Sequence, residues 1–161
     1  MTAPQFAPDH PLSQCSIARS LDTLGERWTL LVLREVFHGV RRFDDMQARL
    51  RAPRQVLSAR LGRLVELGLL RREPYREPGQ RTRYEYRLTD KGRDLFPILV
   101  ALLAWGDRYA APAGGPAVSL HHRECGAEIE VALRCGNGHE LSGPREVEVH
   151  RRRTVAEAPA G

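Results

Sequence analysis

Arginine side chains dominate the basic residues of this chain, and their chemistry suits phosphate groups. Of 25 basic residues, 24 are arginines. The planar guanidinium donates paired hydrogen bonds to phosphate oxygens and to guanine. A GC-rich genome produces the same bias, so the position of each arginine has to decide between the two explanations. One stretch, residues 53–66, combines arginines with other polar side chains; its candidate contact residues are Arg54, Gln55, Ser58, Arg60 and Arg63.

Two pairs of possible metal ligands lie near the C-terminus. His122 and Cys125 form an H-x-x-C pair, and Cys135 and His139 form a C-x-x-x-H pair nine residues later. Four such ligands close a tetrahedral structural Zn²⁺ site, and a small segment with little core gains most from it. The alternative is a ribbon that has lost zinc and survives as a hairpin with surface histidines. A catalytic zinc is not expected, because no pocket-forming sequence surrounds these residues.

Cys15 is a candidate redox-sensing thiol near the N-terminus. A sensor needs a stabilised thiolate, and Arg19, one helical turn later, could provide a positive charge. The alternative is a buried structural cysteine, since free thiols are commonly buried.

Apolar spacing predicts three helices before residue 51. Apolar residues recur at helical intervals over residues 16–37, and Gly25 predicts a break into two helices. Phe43, Met46 and Leu50 then recur at intervals of three and four residues, which predicts a third, short helix.

A fourth helix follows Pro53, a residue accepted in the first turn of a helix. At about 100° per residue, Leu57, Leu61 and Leu64 fall within roughly 60° of one another, so one face packs and the opposite face stays free. Gly68 predicts the end of this helix.

A β-hairpin is predicted after that helix. Residues 69–73 and 82–88 have strand-like patterns, and Pro78-Gly79 between them is a turn signal. Arg81 and Arg83 lie at the tip and edge of this hairpin. Arg41 and Arg42, at the start of the third helix, are further candidates for a phosphate contact.

Thr89 is a candidate N-cap for a long helix over residues 90–109, which Pro97 should bend. Its apolar residues cover too much of the circumference for a helix packed on one side. They predict a second packing partner, most simply the same helix of another subunit.

The predicted organisation is a flexible arm at 1–12, a main domain at 13–110, a linker at 111–117, a small β module at 118–152 and a disordered tail at 153–161. Residues 127–135 and 145–152 alternate like two strands. The fold class is therefore mainly α with a β-hairpin wing, plus a small C-terminal β-hairpin module.

Charge and length limit the class of protein. Residues 1–111 contain 19 basic and 13 acidic residues, whereas residues 112–161 contain 6 and 7. The length of 161 residues excludes a large multidomain enzyme. No apolar segment approaches the ~20 residues of a membrane span, and the N-terminus lacks a secretion signal. We expect a cytoplasmic protein that is not an enzyme.

Helix, tight turn, helix and basic hairpin together form the winged helix-turn-helix layout. Its second helix fills the major groove of DNA, with its N-terminal side chains near the base edges, while arginines of the hairpin reach phosphates or the minor groove. Arginines on two elements that would face one duplex favour nucleic-acid binding over a merely solvated surface.

The chain resembles the HxlR family of winged helix-turn-helix regulators over about residues 13–110. The resemblance lies in CSIARSLDTLGERWTLLVLRE, RRFDDM, VLSARLGRLVELGLLRRE and RYEYRLTDKGRDLFPILVALLAWGD. It implies a homodimeric transcription factor of the bacterial nucleoid. The dimer would form through the first and last helices and bind inverted or direct repeats near promoters. Where many relatives have a Ser or Thr cap, this chain has Ala52 and Pro53. Either Arg54 or Gln55 could then point into the groove.

The resemblance also bears on the cysteines. Cys15 occupies the position of an N-terminal cysteine with which some family members sense quinones, aldehydes or oxidants. Some HxlR-like proteins carry a similar extension with C-x-x-C in its second half, and the fourth ligand here would be His139. We therefore expect a sequence-specific DNA-binding regulator that responds to a small molecule or a thiol-reactive signal. The alternative is a protein-interaction module or a non-specific DNA-binding protein whose working part is the C-terminal hairpin.

Overall fold

The computed structural model describes residues 12–79 and 81–150. The predicted flexible arm, apart from Leu12, and the predicted disordered tail lie outside these residues. No helix among the described residues is long and apolar enough to cross a membrane.

Four α-helices precede the hairpin, as the apolar spacing predicts. They are α1 (Ser16–Leu24), α2 (Arg27–Phe37), α3 (Phe43–Leu50) and α4 (Arg54–Glu66), and a single 3-10 turn, Leu12–Gln14, lies before them. The predicted break at Gly25 is confirmed, since the Gly25 N–H donates to the Leu21 carbonyl at 2.7 Å and closes α1.

The turn between α3 and α4 is only three residues long. Arg51 adopts a left-handed conformation with a φ of 51°, and its N–H donates to the Gln47 carbonyl at 2.8 Å. Ala52 is buried, and Pro53 has an extended backbone with no side-chain cap. α4 therefore begins at Arg54.

The core forms where one face of α4 packs against α2, α3 and the hairpin. Leu57, Leu61 and Leu64 are buried, which confirms the predicted packing face. They belong to one cluster with Leu33 of α2 and Met46 of α3. Each fully buried side chain of this size contributes roughly 1.5–3 kcal/mol through removal from water.

The predicted hairpin consists of β1 (Leu70–Tyr75) and β2 (Arg83–Leu88), which are antiparallel. The segment before α3 also joins the hairpin, because Arg42 forms an isolated bridge with Glu85 and the Tyr86 N–H donates to the Arg41 carbonyl at 2.8 Å. This hairpin, which we call the wing, is thus tied directly to the start of α3.

The prediction of one continuous helix over residues 90–109 is wrong. The structure has two helices there, α5 (Asp90–Arg93) and α6 (Phe96–Tyr109). Pro97 has no N–H for the carbonyl four residues earlier, so it lies in the first turn of a new helix and does not bend a continuous one. The predicted cap is confirmed, since the Thr89 hydroxyl accepts from the Gly92 N–H at 3.1 Å.

α5 is bonded to the carboxyl end of α4. The Lys91 ammonium donates to the Leu67 carbonyl at 2.8 Å, and the Thr89 hydroxyl donates to the Gly68 carbonyl at 2.6 Å. Gly68 has a φ of 67°, as expected for the residue that ends this helix.

The C-terminal segment contains single bridges where strands were predicted. Isolated antiparallel bridges join His121 to Glu128 and Arg134 to Glu140, and no continuous strand forms in the described residues 118–150. The prediction of strands over 127–135 and 145–152 is therefore wrong for the described part. Nearly all of these side chains are exposed, so the alternating apolar residues bury no common face that would hold a longer pairing.

Candidate nucleic-acid interface

The first turn of α4 presents polar side chains to solvent. Arg54, Gln55 and Ser58 are all exposed, and the side chain of Arg54 is 71% exposed. The Arg54 guanidinium lies over the Phe43 ring, 4.8 Å from its centroid. This cation–π contact orients Arg54 without burying it.

A carboxylate joins the start of α4 to the wing. Asp44 Oδ1 lies 3.8 Å from Arg54 Nη1, and Asp44 Oδ2 lies 3.5 Å from Arg83 Nη1. The first turn of α4 and the edge of β2 therefore share one surface, which we call the arginine surface. Arg81 is also exposed, near the tip of the wing.

Arg42 extends this surface beyond the start of α3. Its guanidinium pairs with Glu77 at 2.7 Å and lies over the Tyr75 ring at 4.4 Å. Arg41 is exposed and lines a shallow, open pocket together with Arg42 and Glu85. The turn before α3, which carries Arg41 and Arg42, is thus in contact with the wing.

Arg60 and Arg63 have other surroundings. Arg60 pairs with Glu26, the N-cap residue of α2, at 2.8 Å, and only a quarter of its side chain is exposed. Its Nε is buried without a hydrogen-bond partner among the described residues. Arg63 pairs with Glu66 on the same helix at 3.3 Å. Arg60 therefore contributes to packing between α2 and α4, which sets it apart from the arginine surface.

Asp44 and Phe43 are parts of this surface that the sequence pattern does not reveal. Acidic residues in a first helical turn are common because they complement the helix dipole, so Asp44 has no distinctive signal. Its partners lie 10 and 39 residues away in the chain, and only the fold brings them together.

Cys15 is the N-cap residue of α1 and is partly buried. Its N–H donates to the Leu12 carbonyl at 3.1 Å, and its carbonyl accepts from the Arg19 N–H at 3.0 Å. Cys15 thus lies at the N-terminus of a helix, and all three cysteines are free thiols.

The two C-terminal ligand pairs form separate turns. In the first, Cys125 Sγ lies 3.3 Å from His122 Nδ1. In the second, hydrogen bonds from the backbone N–H groups of Asn137 and then His139 lower the pKa of the Cys135 thiol. A lowered thiol pKa favours the thiolate, which is the form that binds metal. No group of three or more His, Cys, Asp or Glu residues in the described chain is gathered in a way that could hold a metal ion.

Two helices carry exposed apolar side chains. On α1 these are Ile17 and Leu21, and on α6 they are Phe96, Ile98, Leu102, Trp105 and Tyr109. Large exposed apolar groups on elements of a folded domain are typical of an interaction surface.

Comparison with known proteins identifies relatives for most of the chain. The model of the family described as HxlR-like helix-turn-helix matches residues 23–113. The uncharacterized HTH-type transcriptional regulator MT3179 of Mycobacterium tuberculosis is 48% identical over 128 residues, which are 79% of this chain and 80% of that protein.

Solved structures agree with the fold. The crystal structure of PA1607, a candidate transcription factor, is 38% identical with a TM-score of 0.76, and the match covers 87% of this chain and 96% of that one. The family model ends at residue 113, but a match to 87% of this chain needs more residues than that. The similarity to PA1607 therefore extends into the C-terminal segment. The redox regulator HypR in its oxidized form is 25% identical with a TM-score of 0.53, covering 58% of this chain and 96% of that one.

Proposed function

The chain belongs to the HxlR-like helix-turn-helix family, and from this premise we propose that it is a sequence-specific DNA-binding transcriptional regulator that acts as a homodimer on promoter DNA. The main support is the arginine surface. Asp44 contacts both Arg54 on α4 and Arg83 on the wing, so the two elements bring guanidinium groups to the same carboxylate. A duplex that accepted α4 in its major groove would meet the wing at its backbone.

Each part of this surface has its own role in the proposal. Gln55 and Ser58 lie on the first turn of α4, where side chains meet base edges, and the amide of Gln55 suits adenine. Arg83, Arg81 and Arg42 bind phosphates, which position the protein without reading sequence. Arg54 lies between the two groups.

Two copies of the chain would bind two half-sites. The exposed apolar side chains of α1 and α6 support a dimer through these helices. α6 follows α5, which is bonded to the carboxyl end of α4. A change at the dimer interface could therefore alter the spacing of the two copies of α4, and with it the fit to operator DNA, where the bound dimer would block or position RNA polymerase.

An effector response is proposed at Cys15. The thiol lies at the N-terminus of α1, one of the two helices of the proposed dimer. Its oxidation or alkylation would change the packing of that helix. The fold relationship to the redox regulator HypR supports the choice of an oxidant as the first effector to test.

The C-terminal segment is proposed to hold a structural Zn²⁺ through His122, Cys125, Cys135 and His139. Binding would have to bring the two turns together, because no three of these side chains are gathered around one point in the described residues. The close His122–Cys125 contact and the lowered pKa of the Cys135 thiol fit this role. The ion would supply a cross-link between two turns that have little core of their own.

Binding to DNA is the decisive test. Anisotropy of a labelled duplex from the gene's own upstream region should show tight, salt-dependent binding that resists unrelated competitor DNA. We expect Arg83→Ala to weaken binding to all duplexes and lower the salt slope by about one, whereas Gln55→Ala should change the preferred sequence at a cost of roughly 1–3 kcal/mol. Equal effects of both substitutions on every duplex would contradict this division of roles.

Three other outcomes of the same titration are informative. Loss of binding after oxidation in the wild type, but not in Cys15→Ser, would support the thiol response. Binding displaced equally by any DNA would leave a non-specific DNA-binding protein. No binding to any duplex would refute the proposal and direct attention to the C-terminal segment.

A further inference from the structure

We propose that Asp44 is a specificity-determining residue of the arginine surface, because it holds Arg54 and Arg83 in ion pairs that phosphates of unrelated DNA must displace. This inference rests on the proposed DNA-binding function. It assigns a role to a carboxylate that lies between two arginines of this surface.

The geometry gives each carboxylate oxygen a different arginine. Oδ1 of Asp44 faces Arg54 at 3.8 Å and Oδ2 faces Arg83 at 3.5 Å. The Asp44 side chain is 65% exposed, so both pairs are open to solvent and to an incoming duplex. The Phe43 ring under Arg54 keeps that guanidinium near Asp44.

Exposed ion pairs of this kind are weak and exchange readily. A phosphate can therefore replace Asp44 as the partner of either arginine. The negative charge of Asp44 nevertheless remains at the surface, where it competes for both guanidinium groups and repels the DNA backbone.

The competition affects unrelated DNA more than the preferred site. Binding to unrelated DNA depends almost entirely on phosphate contacts, so both arginines would be needed for phosphates. On the preferred site, the side chains of α4 also contact base edges, and a smaller share of the binding free energy depends on phosphates alone. Removing Asp44 should thus strengthen non-specific binding more than specific binding.

The test compares Asp44→Asn with Asp45→Asn. Both substitutions remove one negative charge from the exposed first turn of α3. The loss of charge and the loss of its favourable interaction with the helix dipole are therefore matched. Only Asp44 pairs with Arg54 and Arg83 in the described structure. Thermal unfolding of both variants checks that the fold is retained to the same extent.

We expect Asp44→Asn to bind an unrelated duplex about three to ten times more tightly than Asp45→Asn, with a salt slope steeper by up to about 0.9 for each additional phosphate that the variant neutralises. The ratio of affinities for the upstream and unrelated duplexes should fall by a similar factor. Affinities of the two variants within twofold of each other would overturn this inference alone. A wild-type protein that binds no duplex would overturn both the proposed function and this inference.

A double-mutant cycle tests the pairing directly. Arg83→Ala should weaken binding to the unrelated duplex more in the Asp44→Asn background than in the wild type, because Arg83 is then released from Asp44 and available to phosphate. Strictly additive effects would show that Asp44 does not act through Arg83 and would overturn its proposed role at the wing.

Discussion

Glu35 is buried on α2, with 1% of its side chain exposed, and receives hydrogen bonds from Arg34 and from Arg49 of α3. Burial by itself would raise the pKa of Glu35. The hydrogen bonds and positive charges of Arg34 and Arg49 outweigh burial, so the pKa is held below its usual value of 4.5. This carboxylate joins α2 to the helix that carries Asp44.

The lowered pKa makes stability depend on pH in a defined direction. Glu35 stabilises the fold fully above its unfolded pKa near 4.5, and this contribution is lost as the pH falls through the lower folded-state pKa. We expect Glu35→Gln to lower the free energy of unfolding at pH 7 by about 1–3 kcal/mol, and to reduce its fall as the pH drops below 4.5. Chemical denaturation at several pH values measures both effects.

Glu66→Gln is the control for this prediction. Glu66 forms an exposed pair with Arg63 on one helix, a contact worth only a few tenths of a kcal/mol. Parallel pH profiles for Glu35→Gln and the wild type would contradict the assigned role of Glu35.

The sequence predicts which polar side chains are exposed better than it predicts their ion-pair partners. The types of Gln55 and Arg83 and the position of each on its element are enough to suggest contact with DNA. The pairing of Arg60 with Glu26 joins residues 34 positions apart, and it depends on how α2 packs against α4. Periodicity carries no information on such pairs.

The two C-terminal turns are predicted to be joined by zinc. Protein purified without added metal should contain about one zinc per chain, and Cys135→Ser should lose most of it, because a structural site needs all four ligands. Cys15→Ser should keep the metal, since Cys15 lies at the start of α1. Metal content by mass spectrometry decides the matter: equal zinc in wild type and Cys135→Ser would rule out the proposed ligand set.

Local patterns predicted the helices and the wing because these elements contribute to one core. The leucines of α4 repeat at helical spacing and are buried as that spacing requires. The alternation around Ile129 and Val131 looks like a strand but leads to none, because both side chains are exposed. Alternation predicts a strand only where another layer covers the apolar face. The sequence around Pro97 predicts a bend, whereas the structure has a break before α6, because proline also fits the first turn of a new helix.

The exposed apolar side chains of α1 and α6 predict that the whole protein is a dimer. Leu102 on α6 is 48% exposed, so Leu102→Glu should leave the monomer folded but place a charge in the proposed interface. We expect analytical ultracentrifugation to show a dimer for the wild type and a monomer for the variant. DNA affinity should fall about 10²-fold or more, because two linked half-site contacts become one.

Leu133→Glu is a suitable control, since Leu133 is 66% exposed in the C-terminal segment. It should remain dimeric and bind DNA as the wild type does. A dimer that persists in Leu102→Glu and dissociates in Leu133→Glu would move the interface to the C-terminal segment.

The three-residue turn between α3 and α4 restricts how this protein can evolve. Arg51 holds a left-handed conformation, Ala52 is buried, and α4 begins directly after Pro53. An inserted or deleted residue would change the distance and the angle at which α4 leaves α3, because the left-handed Arg51 and the buried Ala52 fix both. Such a change would shift the first turn of α4, and with it Gln55, relative to the wing. Descendants with new operators should therefore differ by substitutions on the first turn of α4, while the length of this turn stays constant.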